Sequence, residues 1–196
     1  MGDMEAEVEV EQKFLVPSDC TARLEAAGAV LVGEKVVADV YRDTTAGALM
    51  ARDTWLRQRG GSWELKVPAG GEGAGGGATS YRELSSPSAI REAVREAGVL
   101  EELEELETMV EVRCTRQQWQ LAGMEVVVDR MADGYTVGEV EVMARSEGRA
   151  AALARVQEAA AALGFTAVPE GKVAHCMRLA RPELWRRLEL LWAANH

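Results

Sequence analysis

Carboxylates and an amine recur at every second position of a segment near the N-terminus. Glu9, Glu11 and Lys13 are separated by single residues, so a β-strand here would place all three side chains on one face. Carboxylate oxygens are good ligands for Mg²⁺ and Mn²⁺, and lysine binds phosphate as a point charge. One such strand is more often simply a solvated face, so the pattern gains weight only if it recurs.

The same alternation recurs in four further segments. Their side chains at every second position are Asp39, Tyr41 and Asp43; Trp55, Arg57 and Arg59; Glu64 and Lys66; and Glu139 and Glu141. Solvated faces need not separate carboxylates and cations onto different strands. The recurrence therefore predicts a closed barrel with a polar lumen, whose apolar outer face is covered by helices.

A polar lumen lined by both charges indicates an anionic ligand with a metal ion. Arginine and lysine match phosphate oxygens in charge, and arginine also matches them in bidentate geometry. Without a ligand, each set of like charges would repel itself. A small-molecule polyphosphate together with Mg²⁺, or alternatively Mn²⁺, would neutralise both sets.

Period-two segments and turn residues predict a mainly antiparallel β-structure with attached helices, without the regular alternation of a doubly wound fold. The predicted strands are 7–16, 29–43, 54–60, 62–68, 79–85, 107–119, 123–131 and 135–145. The predicted helices are 19–27, 87–97, 99–105, 147–163, 170–180 and 182–194. Residues 70–78 are rich in glycine and alanine, which predicts a flexible loop.

Size and composition indicate a single cytoplasmic domain that spans residues 1–196. The net charge of −10 argues against nucleic-acid binding, and no apolar run is long enough to span a membrane. The N-terminal residues lack the features of a secretory signal, and three widely spaced cysteines indicate a reducing compartment. Only two histidines are present, which disfavours a zinc site. We expect a monomer.

Glu9-Val-Glu-Gln-Lys13 is an ExExK motif, which strand alternation alone can produce. Further segments occur in the same order and at the same spacing as the motifs of one protein family. They are Asp39-Val-Tyr-Arg-Asp-Thr44, Trp55-Leu-Arg-Gln-Arg59, Trp63-Glu-Leu-Lys66, Tyr81-Arg-Glu-Leu84, Gly134-Tyr-Thr-Val-Gly-Glu-Val-Glu141, and Lys172 followed by Arg181-Pro182. Over nearly its whole length the chain resembles the CYTH superfamily, the triphosphate tunnel metalloenzymes. Within it, the chain is most similar to members that hydrolyse thiamine triphosphate.

The resemblance implies an α+β fold: a closed antiparallel eight-stranded β-barrel, the triphosphate tunnel, with helices packed outside. It implies a Mg²⁺-dependent hydrolase that converts thiamine triphosphate to thiamine diphosphate and phosphate. The implied metal ligands are Glu9, Glu11, Asp129, Glu139 and Glu141. Glu7, upstream of the motif, is interpreted as a strand-end residue.

The resemblance also implies substrate-binding and catalytic roles. The implied phosphate-binding cations are Lys13, Arg57, Arg59, Lys66, Arg116 and Lys172. Glu83 resembles a carboxylate that orients cations or metal-bound water, and Lys66 with Tyr41 resembles a dyad that activates the attacking water. A lysine among other cations should have a lowered pKa, which would suit a general base.

Trp55 resembles the aromatic residue that stacks on the pyrimidine of thiamine, and packing at the barrel mouth is the alternative interpretation. Three other functions stay open: an inorganic tripolyphosphatase, a class IV adenylyl cyclase and a non-catalytic polyphosphate-binding module. The complete carboxylate set and Lys66 disfavour the module, because a binder would not need both groups of metal ligands.

Overall fold

The computed structural model describes residues 7–69 and 78–195. The strands in these residues are β1 (Glu7–Leu15), β2 (Val30–Asp43), β3 (Trp55–Arg59), β4 (Ser62–Pro68), β5 (Ala78–Leu84), β6 (Glu107–Leu121), β7 (Met124–Met131), β8 (Thr136–Arg145) and β9 (Thr166–Ala167). The α-helices are α1 (Cys20–Ala26), α2 (Pro87–Glu96), α3 (Arg149–Ala162), α4 (Lys172–Ala180) and α5 (Pro182–Asn195).

The chain divides into two compact units. The first draws on Met1–Val36, Ala69–Arg82 and Cys114–Lys172, and the second on Val37–Pro68, Glu83–Arg113 and Val173–His196. The strands pair antiparallel in the order β5-β4-β3-β2-β6-β7-β8-β1-β9, and β1 also pairs with β5. The predicted class, a closed antiparallel barrel of eight strands in an α+β fold, is confirmed, with β9 as one additional strand.

In the first unit, β1 pairs antiparallel with β8, β5 and β9. β7 pairs with β6 on one side and with β8 on the other. Val10, Phe14 and Val140 form a buried apolar cluster with Val156 of α3. Burial of the apolar residues of β1 in this cluster leaves the alternate residues, the carboxylates, on the opposite face of the strand.

In the second unit, β3 pairs antiparallel with β2 and with β4. Gly60 and Gly61 both have positive φ values, 56° and 86°, which glycine adopts without steric cost and which permit the tight β3–β4 hairpin. Leu56 and Leu65 lie opposite each other and are buried in an apolar cluster with Ile90 of α2. The hairpin predicted around the glycine pair is therefore confirmed.

The predicted helix 99–105 is wrong, because residues 103–105 form a turn and residues 99–102 before them have no helical structure. Gly98, with a φ of 79°, ends α2, and Leu103 is buried while the glutamates around it stay exposed. Closely spaced glutamates repel one another in a helix. Glu102 instead pairs with Arg95 of α2 at 3.1 Å, and Glu104 lies 3.6 Å from another arginine of that helix.

Strand β9 is missing from the sequence-based prediction, because two residues are too few to form a periodic pattern. Residues 70–77, which belong to the predicted glycine-rich loop, lie outside the described residues. Among the described helices, none combines the length and the apolar character that a membrane span requires.

Candidate functional site

A cluster of three carboxylates lies in the first unit, on β1 and β8. Glu9 and Glu11 share one face of β1, and Glu141 lies directly opposite Glu11 in the strand register. One oxygen from each carboxylate lies within 4.8 Å of the others, and both β1 glutamates are buried. Three hard oxygen donors at this spacing could hold a divalent metal ion.

Lys13 lies beside this cluster. Its ammonium forms an ion pair with Glu11 Oε1, and the hydroxyl of Thr79 in β5 donates a hydrogen bond of 3.2 Å to the same oxygen. Gly171 leaves room for the lysine stem, because a Cβ at that position would lie 2.8 Å from Lys13 Cε. Buried carboxylates require such partners, so Lys13 offsets part of the negative charge of the cluster.

A second group in the first unit consists of two cations and two carboxylates. Arg116 of β6 lies directly opposite Asp129 of β7 and donates two hydrogen bonds of 2.8 and 2.7 Å to its carboxylate. Lys172 Nζ lies 2.9 Å from Asp129 Oδ2 and 3.8 Å from Glu139 Oε1. All four residues are buried, so the charges are compensated locally rather than by solvent.

These contacts determine the protonation of the group. Burial by itself would raise the pKa of Asp129, but hydrogen bonds from Arg116 and the charge of Lys172 outweigh it and lower that pKa well below its usual range. The paired carboxylate likewise overcomes burial and raises the pKa of Arg116. Burial, assisted by the nearby Asp129 carboxylate, raises the pKa of the Cys114 thiol to about 12. Asp129 is therefore ionised and Cys114 protonated at neutral pH.

Of the five predicted metal ligands, Glu9, Glu11 and Glu141 are brought together in the carboxylate cluster. The other two, Asp129 and Glu139, lie against cations that are themselves predicted to bind phosphate. Both oxygens of Asp129 already accept charged hydrogen bonds, which a metal ion would have to replace. The metal role of these two residues stays a prediction.

In the second unit, the predicted phosphate-binding arginines lie on one face of β3, in ion pairs. Arg59 donates two hydrogen bonds of 2.6 and 2.7 Å to Asp39, which lies directly opposite in β2. Arg57 Nε donates to Glu64 at 2.7 Å, and its guanidinium lies 3.8 Å from Asp39 and 3.7 Å from Glu83. Three carboxylates therefore hold the two guanidinium groups in place.

Tyr41 and Lys66, the predicted catalytic pair, lie on this same face. Tyr41 is buried opposite Arg57, and together with Asp39 it outweighs the effect of burial and raises the pKa of Arg57. Lys66 Nζ lies 3.4 Å from Glu83 Oε1, the oxygen that also faces Arg57. Glu83 therefore lies between two cations, and its orienting role stays a prediction.

Trp55 begins β3 on the same face as Arg57 and directly opposite Lys66. Its indole N–H donates a hydrogen bond of 2.8 Å to Asp53 Oδ1. Its ring centroid lies 6.2 Å from that of Trp192 in α5, with the planes tilted by 49°. The indole is partly exposed, so a packing contact on one side is compatible with a ligand contact on another.

The sequence pattern places Asp39, Asp43 and Glu64 on charged faces without assigning them a role. Asp39 and Glu64 form ion pairs with the arginines of β3. Asp43 is fully buried and accepts hydrogen bonds of 3.0 and 2.8 Å from the backbone N–H groups of Leu49 and Met50. The alternation of side chains along the strands indicated that all three residues lie on a charged face. It could not distinguish an ion-pair partner from a residue that organises a turn.

Comparisons with known proteins identify related sequences over most of the chain. The model of the CYTH domain family matches residues 7–168. The proteins named thiamine-triphosphatase from Macaca fascicularis and from Homo sapiens are each 31% identical to this chain, over alignments that cover 92% of this chain and 89% of theirs.

Solved structures of lower identity share the fold. The PH1012 protein from Pyrococcus horikoshii OT3 has a TM-score of 0.58 at 18% identity and covers 84% of this chain and 97% of its own. HpAC1 from Hippeastrum, described as having a dominant triphosphatase activity, also has a TM-score of 0.58 at 18% identity. Its alignment covers 88% of this chain and 95% of its own. Since the family model matches well over half of the sequence, the chain belongs to the CYTH domain family.

Proposed function

We propose that this protein is a Mg²⁺-dependent hydrolase that converts thiamine triphosphate to thiamine diphosphate and phosphate. The observation that carries the proposal is the carboxylate cluster of Glu9, Glu11 and Glu141. Membership of the CYTH family supports a triphosphate as the substrate class. The names of the two relatives at 31% identity support thiamine as its organic part.

The metal would be held by Glu9 and Glu11 of β1 with Glu141 of β8. Oxygen donors suit Mg²⁺ and Mn²⁺, whereas a zinc site would usually include nitrogen or sulfur ligands. Bound there, Mg²⁺ would supply positive charge that stabilises the charge on the transferring phosphoryl group.

Cations of the chain would bind the phosphate oxygens. In the first unit these are Lys13, Arg116 and Lys172, and in the second they are Arg57 and Arg59. Arg57 is paired with Glu64, whose Oε2 lies 2.7 Å from Nε and 2.6 Å from Nη2, so a phosphate group would replace this carboxylate at the guanidinium. Its planar donors would match two phosphate oxygens at once.

Proton transfer from the attacking water would fall to Lys66 and Tyr41. Phosphoryl transfer depends on positioning and charge stabilisation more than on covalent chemistry, so a positioned base is sufficient. Glu83 Oε1, at 3.4 Å from Lys66 Nζ, would hold the amine in place and would accept the proton that the ammonium must lose before it can act as a base. The same carboxylate would keep Arg57 beside the amine, because it also lies 3.7 Å from the guanidinium.

A substrate panel tests the proposal. Phosphate release would be measured with Mg²⁺ and thiamine triphosphate, tripolyphosphate or ATP, and then again after EDTA is added. We expect the highest kcat/KM for thiamine triphosphate and loss of turnover with EDTA. Faster cleavage of tripolyphosphate would show the proposed substrate to be wrong, and turnover that EDTA does not change would contradict the metal dependence.

An inorganic tripolyphosphatase is the second candidate. One observation favours it. Trp55 already packs against Trp192 and donates a hydrogen bond to Asp53, so these contacts can account for an aromatic residue at this position without a ligand. The substrate panel separates the two candidates.

We further propose that residues 1–196 act as one domain and as a monomer in the cytoplasm. The three cysteines are buried and widely spaced in the sequence, which is compatible with a reducing compartment. Light scattering after size-exclusion chromatography measures the mass in solution, and a mass of twice the 21.2 kDa chain would contradict the monomer.

A further inference from the structure

Trp55 is held by two residues that have no role in the proposed function. Its indole N–H donates to Asp53 Oδ1 at 2.8 Å, and its ring packs against Trp192 of α5 at 6.2 Å between centroids. An indole has a single hydrogen-bond donor, so the first contact uses its whole polar capacity. The second contact covers part of its apolar surface, and together the two restrict the side-chain torsions of Trp55.

One backbone carbonyl connects both contacts. Trp192 Nε1 donates a hydrogen bond of 3.2 Å to the carbonyl oxygen of Met50, and the backbone N–H of Asp53 donates one of 2.9 Å to the same oxygen. Asp53 has a φ of 54°, a left-handed conformation that aspartate tolerates better than most residues. The positions of the two residues that hold Trp55 are therefore coupled.

The helix that carries Trp192 is fixed in turn. Trp185 packs edge-on against Trp192 at 5.2 Å and donates its indole N–H to Glu189 Oε1 at 2.7 Å. Leu184 packs closely on Gly47, where a Cβ would lie 3.3 Å from Leu184 Cδ1. Trp192 is therefore part of a packed aromatic group rather than a loose side chain at the end of the helix.

Trp55 is a neighbour of two cations in the sheet. Trp55 is directly opposite Lys66 and two residues before Arg57 on the same face of β3. A planar ring stacked on this indole would therefore carry its phosphates close to a lysine and an arginine. The orientation of the indole determines whether ring and phosphates can be bound together.

We propose that Trp192 and Asp53 are positioning residues that fix the orientation of Trp55 and thereby set the preference for triphosphates that carry an aromatic ring. The inference rests on the proposed function, because it takes Trp55 as the contact for the organic part of the substrate. A triphosphate without a ring does not need an oriented indole, so its turnover is independent of both residues.

The experiment compares Trp192→Ala with Trp192→Phe and with Leu190→Ala, an exposed position on the same helix. kcat and KM are measured for thiamine triphosphate and tripolyphosphate. Loss of an ordered aromatic contact should raise KM for thiamine triphosphate about 3- to 10-fold, with kcat and the tripolyphosphate constants within about twofold. Trp192→Phe should recover much of the loss, and Leu190→Ala should match the wild type.

A second variant, Asp53→Gly, tests the inference independently in case Trp192→Ala does not fold. Asp53→Gly removes the carboxylate that holds the indole N–H, while glycine accepts the left-handed backbone. It should shift the ratio of kcat/KM for the two substrates in the same direction as Trp192→Ala. Equal losses on both substrates, or an unchanged ratio in both variants, would overturn the inference.

Failure of the inference differs from failure of the proposed function. A wild-type protein that prefers tripolyphosphate would show the proposed substrate to be wrong. An unchanged ratio in the variants would contradict the positioning role, whichever of the two substrates the wild type prefers.

Discussion

Arg116 and Asp129 face each other across β6 and β7 in a bidentate pair, with Nε–Oδ1 and Nη2–Oδ2 distances of 2.8 and 2.7 Å. Asp129 is only 1% exposed, and Lys172 adds a third charged contact at 2.9 Å. Removal of one member of a buried ion pair leaves the partner uncompensated, which is more costly than loss of the pair as a whole.

Asp129→Asn should lower the free energy of unfolding by about 3–5 kcal/mol, because the two buried cations Arg116 and Lys172 would keep only Glu139, at 3.6 and 3.8 Å, as a counter-charge. Urea denaturation at neutral pH measures the change. Asp133→Asn, at an exposed turn of the same unit, is the control and should stay within about 0.5 kcal/mol of the wild type. Similar stabilities for the two variants would show that the pair contributes little.

The pH dependence of this difference follows from the lowered pKa of Asp129. A carboxyl whose folded pKa lies below its unfolded value of about 3.9 stabilises the fold fully above that pH. The contribution is lost as the pH falls through the folded pKa. The stability difference between wild type and Asp129→Asn should therefore shrink below about pH 4. A difference that grows on acidification would contradict this assignment.

The carboxylate cluster predicts different effects for two neighbouring glutamates of β1. Glu9 belongs to the cluster, whereas Glu7 lies two residues upstream on the same face and is exposed. Glu9→Gln should weaken Mg²⁺ binding by about tenfold or more, because one of three charged ligands becomes neutral. Mg²⁺ titrations of activity, with Mn²⁺ binding by calorimetry, measure this effect. Glu7→Gln should behave like the wild type, and equal effects would place the metal elsewhere.

Lys66→Gln should lower kcat by about a hundredfold or more, with a smaller change in KM, if the amine takes the proton of the attacking water. Lys35→Gln is the matched control, since Lys35 is an exposed lysine of β2 outside the site. Steady-state kinetics on thiamine triphosphate give both constants. A rise in KM at constant kcat would instead indicate that Lys66 only binds phosphate.

Gly138→Ala should destabilise the fold through a clash with Phe14. An added Cβ would lie 2.0 Å from Phe14 Cζ, and that ring is already stacked on Phe165 at 4.0 Å. Overpacking of this kind costs about 1–3 kcal/mol, occasionally more. Gly33→Ala, where the added Cβ has no neighbour within 4 Å, should change stability by under about 0.5 kcal/mol. Thermal and urea unfolding of both variants provide the comparison.

The strands could be predicted because their signal is local. The alternation of Val8 and Glu9 indicates which side chains share a face. It does not indicate burial, because both faces of β1 are buried from Val8 to Gln12. The helix predicted over 99–105 failed because the choice between turn and helix depended on contacts with the preceding helix, α2. Glu102 pairs with Arg95, and Leu103 is buried in the apolar cluster around Ile90.

The sequence by itself determined which charged residues of this CYTH protein share a strand face, such as Glu9, Glu11 and Lys13 on β1. Only the tertiary structure decided their partners: Asp129 with Arg116 and Lys172, and Trp55 with Trp192. The physical reason is the distance in sequence over which each feature is determined. The alternation of side chains follows from the backbone of one strand, whereas register and packing between strands and helices depend on contacts among residues far apart in sequence.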